Sequence, residues 1–284
     1  MAGHTSFRIG GPADLFAAPA TAEEAGRVLA LCVQESVPCF LLGGGTNLLV
    51  SDKGIRGVVI DLSLLSGITA DGTLVTALGG TRASTLAEFA LAQGLTGMEF
   101  IFALPGSVGG AVWMNARCYE GEVSGVLEYV DYLGPDLVEH RRAMSPAEWG
   151  YKRSPFQAMQ GVIRQAGFRL APGDPARIRQ LMEAHRQDRE GKGHFLFPCA
   201  GSVFKNNRAF GAPTGRLVDS LGLKGRRIGG AQVAPFHGNI IINTGGATAD
   251  DVRALIELVE EEVRRRLGFH LEREVLLVGD WSPQ

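Results

Sequence analysis

Two long stretches alternate apolar and polar positions at helical spacing. Thr21 to Ser36 sets Leu29, Cys32 and Val33 on one apolar face, with Thr21 and Glu24 at capping-box spacing. Thr248 to Leu267 is the second, and Gly268 is its stop signal. A shorter helix is predicted over Ser84 to Gln93, with Thr85 and Glu88 in box spacing, and another near Gly215 to Leu221. Asp174-Pro175 opens a long polar helix that runs to about Glu190. Strand patterning appears at Gly57–Leu62 and Thr73–Leu78, separated by the Asp71-Gly72 turn, and again at Leu127–Leu133, Leu137–Arg141, Val162–Leu170, Asn239–Asn243 and Glu274–Val278. Helices and strands mix without regular β-α-β alternation, which predicts an α+β protein. No repeat at solenoid period is visible. The main boundary is expected near residue 173, giving domains 1–173 and 174–284, the first in two subdomains of about 1–66 and 67–173.

Charge adds little to this picture. The formal net charge is −2, so no global field attracts nucleic acid or an anionic membrane. The run Arg264-Arg265-Arg266 follows Glu260-Glu261-Glu262 and is expected to be a solvated, salt-laced helix face. The first residues lack the basic and apolar regions of a signal peptide, and no apolar run approaches the roughly 20 residues of a membrane helix. Cys32, Cys39, Cys118 and Cys199 show no C-x-x-C spacing, which predicts reduced thiols in the cytoplasm and no zinc site. The histidines form no metal spacing, and no obligate protein partner is evident.

Glycine changes the picture. The chain has 39 glycines, about twice the usual share of roughly 7%. They cluster at 43–45, 79–80, 105–110, 229–230 and 245–246, where the backbone takes unusual dihedrals or approaches a ligand closely. "LLGGGTNLL" and "LPGSVGGAVWMNA" each offer bare N–H groups to an anion such as a diphosphate. Neither is a Rossmann G-x-G-x-x-G or a P-loop.

Taken in order, "HTSFRIGGPAD", "LLGGGTNLLVSDKGIRGVVIDL", "GLTGMEFIFALPGSVGGAVWMNA", "AGSVFKN" and "NIIINTGGATADDV" resemble the UDP-N-acetylenolpyruvoylglucosamine reductase (MurB) family. The resemblance runs from His4 to about Gly279, and the short path from Arg153 to Ser202 is similar to the family's second type, which lacks an inserted substrate-covering segment. It implies a vanillyl-alcohol-oxidase-like (PCMH-type) FAD-binding fold in two subdomains plus a C-terminal α+β substrate domain. The FAD diphosphate would lie on Gly43, Gly44, Gly45, Thr46 and Asn47, with Pro105, Gly106, Ser107, Gly109 and Gly110 completing the cradle.

The resemblance further implies that NADPH reduces FAD, and that hydride then adds to the enolpyruvyl ether of a UDP-sugar. Such a reaction needs fixed positive charge at the substrate carboxylate and an acid for the carbanion. Ser202 matches the family's proton donor, and Glu274 its catalytic glutamate, with Glu272 a nearby solvent-facing decoy. The family's Tyr-Arg-x-Ser appears here as Tyr151-Lys152-Arg153-Ser154, so Lys152 stands in the arginine column with Arg153 beside it. In an extended segment only one of them can face the site, and register favours Lys152 slightly. Lys205, Asn206, Gln232 and Tyr119 are candidate substrate contacts. Arg117 and Cys118 stand where relatives carry small residues. The alternative is an FAD-dependent oxidase or dehydrogenase of another small molecule, which has no reason to keep "AGSVFKN" and Glu274.

Overall fold

The computed structural model describes residues 1–159 and 161–282, and its contacts divide the chain into two compact units. An inserted unit comprises Leu15–Gly44 and Gly57–Asp188; a terminal unit comprises Met1–Asp14, Gly45–Arg56 and the chain from Arg189 onward. This differs from the expected division at 173/174.

In the inserted unit, helix α1 spans Ala22–Gln34. The Thr21 hydroxyl accepts from the Glu24 N–H (3.1 Å), as box spacing requires, but the Glu24 carboxylate reaches the Ala20 N–H instead of closing on Thr21. Ala25, Leu29 and Cys32 are buried; Val33, expected with them, is 56% exposed. The helix ends at Gln34; Ser36, a left-handed residue, and Pro38 then turn the chain into the strand Cys39–Leu42. That strand lies parallel to Val58–Asp61, with Leu41 opposite Ile60.

A five-stranded antiparallel sheet supplies the unit's other layer, in the order Glu139–Ala143, Leu127–Leu133, Val162–Arg169, Leu74–Leu78, Ile68–Asp71. The Asp71-Gly72 turn therefore joins Leu74–Leu78 to Ile68–Asp71, not to Gly57–Leu62. Helix α2, Ala83–Ala92, carries no side-chain cap, and the predicted Thr85/Glu88 box lies inside it. The Gly106 carbonyl takes the Ala83 N–H instead (3.0 Å). Helix α3 (Val108–Trp113) and helix α4 (Pro175–Gly191) complete the unit. Ile178 and Met182 of α4 are buried in the same core as Leu86, Val112 and Phe168. Those two side chains keep the start of α4 with the preceding sheet and move the division to 188/189.

In the terminal unit, strands Cys199–Ser202, Ile240–Asn243, Ala231–Val233 and Arg227–Ile228 form an antiparallel sheet in that order. Helix α5 spans Thr214–Ser220 and helix α6 Ala249–Leu267. Helix α6 has a complete capping box between Thr248 and Asp251, and the Asp52 carboxylate also takes the N–H groups of Ala249 (2.9 Å) and Asp250 (3.1 Å). An anion at a helix N-terminus is stabilised by the orphan donors and the dipole. Val252, Leu255, Ile256, Val259 and Val263 form its buried stripe, packed with Phe7, Ile9 and Leu49 from the early chain. Strand Leu48–Val50 pairs in parallel with Leu276–Val278. Arg264 and Arg265 pair with Glu261 and Glu262 on the exposed face, the salt-laced surface expected. Among the described residues no helix is long and apolar enough to cross a membrane.

Candidate active site

The first glycine loop leaves strand Cys39–Leu42 directly. A Cβ on Gly43 would stand 2.5 Å from Ser107 Oγ, and one on Gly44 would stand 2.7 Å from the Gly106 Cα. The two glycine loops thus touch, and any side chain at either position would force them apart. Ser107 caps α3 by accepting the Gly110 N–H, Val108 donates to Thr81, and Gly109 donates to the Gly79 carbonyl at 2.7 Å. Gly109 and Gly110 therefore hold the second loop closed rather than offering donors. Among the described residues no acceptor takes the N–H of Gly43, Gly44, Gly106 or Ser107. Gly44 is exposed, Gly43 and Gly106 are half-buried and Ser107 is buried, so these donors are open to an anion. Gly79 and Gly80, which sequence reasoning noted only as a cluster, support this arrangement: a Cβ on either would meet a backbone carbonyl within 2.2 Å.

The loop continues into the terminal unit at Gly45, which has φ +61° and would place a Cβ 2.0 Å from the His4 carbonyl. Its own carbonyl takes the Ser6 N–H (3.0 Å). Ser6 Oγ is buried with no hydrogen-bond partner among the described residues. Within the inserted unit, a cradle that a Cβ would fill, beside unpartnered N–H groups, fits a diphosphate; within the terminal unit, the orphaned Ser6 hydroxyl lies next to Gly45. These features suit FAD. Ser6 escaped the sequence reading because nothing in "HTSFRIGG" signals a side chain orphaned by the fold. Asn47 behaves differently from expectation: its amide nitrogen donates to the Glu274 carbonyl (2.9 Å), and its own carbonyl takes the Leu276 N–H (3.0 Å).

Ser202 and Glu274 are brought together within the terminal unit. Ser202 closes strand Cys199–Ser202 opposite Ile240, after a bulge at Gly201 with φ +71°. The next residue, Val203, accepts the N–H groups of both Glu274 (2.8 Å) and Val275 (3.2 Å). Asn47 braces Glu274 from one side, and Arg273 forms a bidentate pair with Glu260 (2.6 Å on both arms), which raises the arginine's pKa. The Ser202 hydroxyl has no hydrogen bond to any described residue, so its proton is available to a ligand. Glu272 is exposed, as expected of the decoy, but it is engaged: Lys205 Nζ bonds it at 2.6 Å.

The three substrate candidates of this unit all carry protein contacts. Lys205 has that carboxylate partner. Asn206 Oδ1 takes the Thr214 N–H (2.9 Å) at the start of α5, and the Thr214 hydroxyl donates to the Lys205 carbonyl (2.9 Å). Gln232 donates to the Gly225 carbonyl and accepts from Arg227, both at 3.1 Å, which engages both ends of its amide. His237 accepts the Asn239 N–H on Nδ1, and burial, with Lys192 and Lys224 adding to it, lowers its pKa.

Lys152 and Arg153, in the inserted unit, are not in an extended segment. Gly150 and Arg153 exchange both backbone hydrogen bonds at 3.0 Å, so Tyr151 and Lys152 form a two-residue turn. Lys152 is left-handed, with φ +55°, and Arg153 lays its guanidinium back over Gly150. The turn is fixed to the end of α3: Asn115 donates to the Gly150 carbonyl (2.9 Å), Ser154 donates to the Trp113 carbonyl (2.7 Å), and Gln157 bridges Trp113 and Lys152 carbonyls at 3.0 Å. Asn115, fully buried, is the joint that sequence reasoning missed. Tyr119 stacks on the His185 ring at 3.8 Å and donates to the His185 carbonyl (2.7 Å), anchoring α4. Arg117 points to Glu122 (3.7 Å) at the unit's exposed edge.

Comparison with known proteins agrees with this geometry. The family model described as UDP-N-acetylenolpyruvoylglucosamine reductase, C-terminal domain, matches residues 193–278, and the FAD binding domain model matches residues 13–135. The chain is 43% identical to the UDP-N-acetylenolpyruvoylglucosamine reductase of Treponema denticola, over 98% of this chain and 91% of that protein. It is 41% identical to that of Caldanaerobacter subterraneus subsp. tengcongensis, over 99% of this chain and 92% of that protein. The crystal structure of the reductase (MurB) from Thermus caldophilus superposes with a TM-score of 0.82 at 32% identity, covering 98% of this chain and 96% of that one. The fold is thus the expected α+β, vanillyl-alcohol-oxidase-like (PCMH-type) FAD-binding fold. An identity of this size over nearly the whole length of both chains places the protein: it belongs to the UDP-N-acetylenolpyruvoylglucosamine reductase family.

Proposed function

We propose that this chain reduces UDP-N-acetylglucosamine enolpyruvate to UDP-N-acetylmuramate with electrons from NADPH, in the cytoplasm, as a step of peptidoglycan precursor synthesis that serves cell shape and division. The observation that carries the reading is the pairing of Val203 with Glu274, which sets a partnerless serine hydroxyl beside a braced glutamate. Bound FAD supplies the carrier through which a hydride passes from NADPH to the substrate's methylene carbon. Gly43, Gly44, Gly106 and Ser107 hold its diphosphate by backbone N–H groups, with Gly45, Thr46 and Ser6 beside them.

The chain's own groups handle charge and proton. Lys152 faces the substrate carboxylate as a point charge, since a lysine has no planar fork for bidentate grip. Arg153 is the weaker candidate because its guanidinium is folded onto Gly150. The Ser202 Oγ proton goes to the carbanion left after hydride addition; a hydroxyl is acid enough because the carbanion is far more basic. Glu274, as the neutral acid, returns a proton to the Ser202 oxygen and is left as the carboxylate. Lys205 and Asn206 reach the UDP portion by exchanging their present partners for the ligand, and Gln232 and Tyr119 shape the surroundings.

Anaerobic NADPH oxidation by the purified flavoprotein, with and without the enolpyruvyl sugar nucleotide, tests this. Sustained turnover only with the sugar nucleotide is expected. One equivalent of flavin reduction and no turnover in its presence would leave an FAD-dependent oxidase or dehydrogenase of another small molecule.

A further inference from the structure

The Tyr151-Lys152 turn has no local reason to form. Lys152 is left-handed, at φ +55°, yet the turn holds neither the glycine nor the asparagine that this conformation favours. A residue so placed persists only where surrounding contacts over-determine it, and such contacts gather at functional sites. Here they converge on one helix end. The last carbonyl of the six-residue α3, on Trp113, has no backbone donor among the described residues. Ser154 Oγ donates to it at 2.7 Å and Gln157 Nε2 at 3.0 Å. The same Gln157 nitrogen also donates to the Lys152 carbonyl, again at 3.0 Å. One side-chain amide thus ties the left-handed lysine to the end of α3. Asn115 holds Gly150 and Ser154 holds Trp113, but of the three only Gln157 reaches the backbone of Lys152 itself.

We propose that Gln157 is a positioning residue for substrate recognition: by fixing the Lys152 carbonyl to α3, it aims the Lys152 ammonium at the substrate carboxylate. This role rests on the proposed function, in which Lys152 faces that carboxylate. An arginine brings a rigid planar fork, whereas a lysine carries a point charge on a flexible four-carbon stem. The aim therefore has to come from the backbone. Without Gln157 the strained lysine relaxes out of the left-handed region, and its Cα–Cβ bond swings to a new direction. The fold does not depend on the tether, because Gln157 is half-buried and the Trp113 carbonyl keeps Ser154.

Gln157→Met keeps the length of the side chain and deletes both donated bonds. Calorimetry on the FAD-loaded protein compares two ligands that differ at the carboxylate: UDP-N-acetylmuramate carries it and UDP-N-acetylglucosamine lacks it. The variant should bind the first about 2- to 10-fold more weakly, the worth of one neutral hydrogen bond, and the second as the wild type does. Lys152→Ala should also weaken only the carboxylate ligand, and adding Gln157→Met to it should change nothing further. A merely structural role would weaken both ligands. That result, an unchanged affinity of Gln157→Met for UDP-N-acetylmuramate, or a further loss on the Lys152→Ala background overturns the proposal. The carboxylate assignment beneath it fails differently: Lys152→Ala would then bind both ligands as the wild type does, and the positioning role falls with it. Gln157→Ala, which vacates space instead of filling it, repeats the comparison if the methionine variant folds poorly.

Discussion

In the inserted unit, Gly43 and Gly44 meet Ser107 and Gly106 with no room for a Cβ; in the terminal unit, Ser202 ends a strand, Glu274 lies two residues before the strand Leu276–Val278 that was expected to start at it, and both matter only for their side-chain oxygens. One region works by having no side chains and the other by having two. The cradle is sensitive to volume and indifferent to chemistry. The serine–glutamate pairing is the reverse, so mutations should divide the two cleanly.

The largest effect is expected at the second region. Ser202→Ala should keep FAD and be reduced by NADPH at the wild-type rate, while reoxidation by substrate slows about 10²- to 10⁴-fold. Stopped-flow absorbance separates the two half-reactions, and Glu274→Gln should show the same split. Equal slowing of both halves would mean that these residues do not act on the substrate.

Gly44→Ala should do the opposite. Its Cβ falls 2.7 Å from the Gly106 Cα, and overpacking costs about 1–3 kcal/mol, or roughly 5- to 150-fold in FAD affinity. Flavin content and titration of the apo protein measure this; undiminished affinity would remove the cradle assignment.

The turn that carries Lys152 sharpens the comparison, because backbone and side chain there pull apart. A left-handed lysine is strained by about 1–2 kcal/mol, so Lys152→Gly should raise Tm. The lost charge-assisted contact, about 1.5–3 kcal/mol, should raise substrate KM about 10- to 150-fold. Arg153→Ala should change KM little. A reversal of the two KM effects would assign the carboxylate to Arg153.

Smaller effects follow for Ser6 and His237. Ser6→Ala should weaken FAD binding about 2- to 10-fold, the worth of one neutral hydrogen bond, read from the affinity of the apo protein. His237 is held neutral in the fold, its pKa below the ordinary 6.5, whereas the unfolded chain protonates near that value. Stability is therefore complete above pH 6.5 and falls as pH drops from there toward the lowered value. Denaturant melts should show that acid loss in the wild type and a smaller one in His237→Asn.

The cradle was legible because only glycine tolerates those approaches, and Ser202 and Glu274 were legible through the surrounding motif. What stayed hidden depends on distant partners. Gly109 looked like a donor to the ligand, but its N–H belongs to Gly79, a partner thirty positions earlier. The Lys152 turn has neither glycine nor asparagine at its left-handed position, so turn chemistry gave no sign of it. The Thr85/Glu88 spacing was real, yet Gly106 supplied the contact at the start of α2. Two apolar residues in a polar helix, Ile178 and Met182, were too few to reveal which core α4 joins.

The parallel pairing of Leu48 with Leu276 also sets an order in time. At about 5–20 residues per second, Leu276 leaves the ribosome roughly 10–45 s after Leu48. Every residue of the inserted unit has been synthesised by Asp188, while Phe7, Ile9 and Leu49 still lack the α6 face they pack on. The earliest apolar segments of the chain are thus the last to find their core, and a nascent chain that stalls before α6 leaves them exposed to chaperones and proteases.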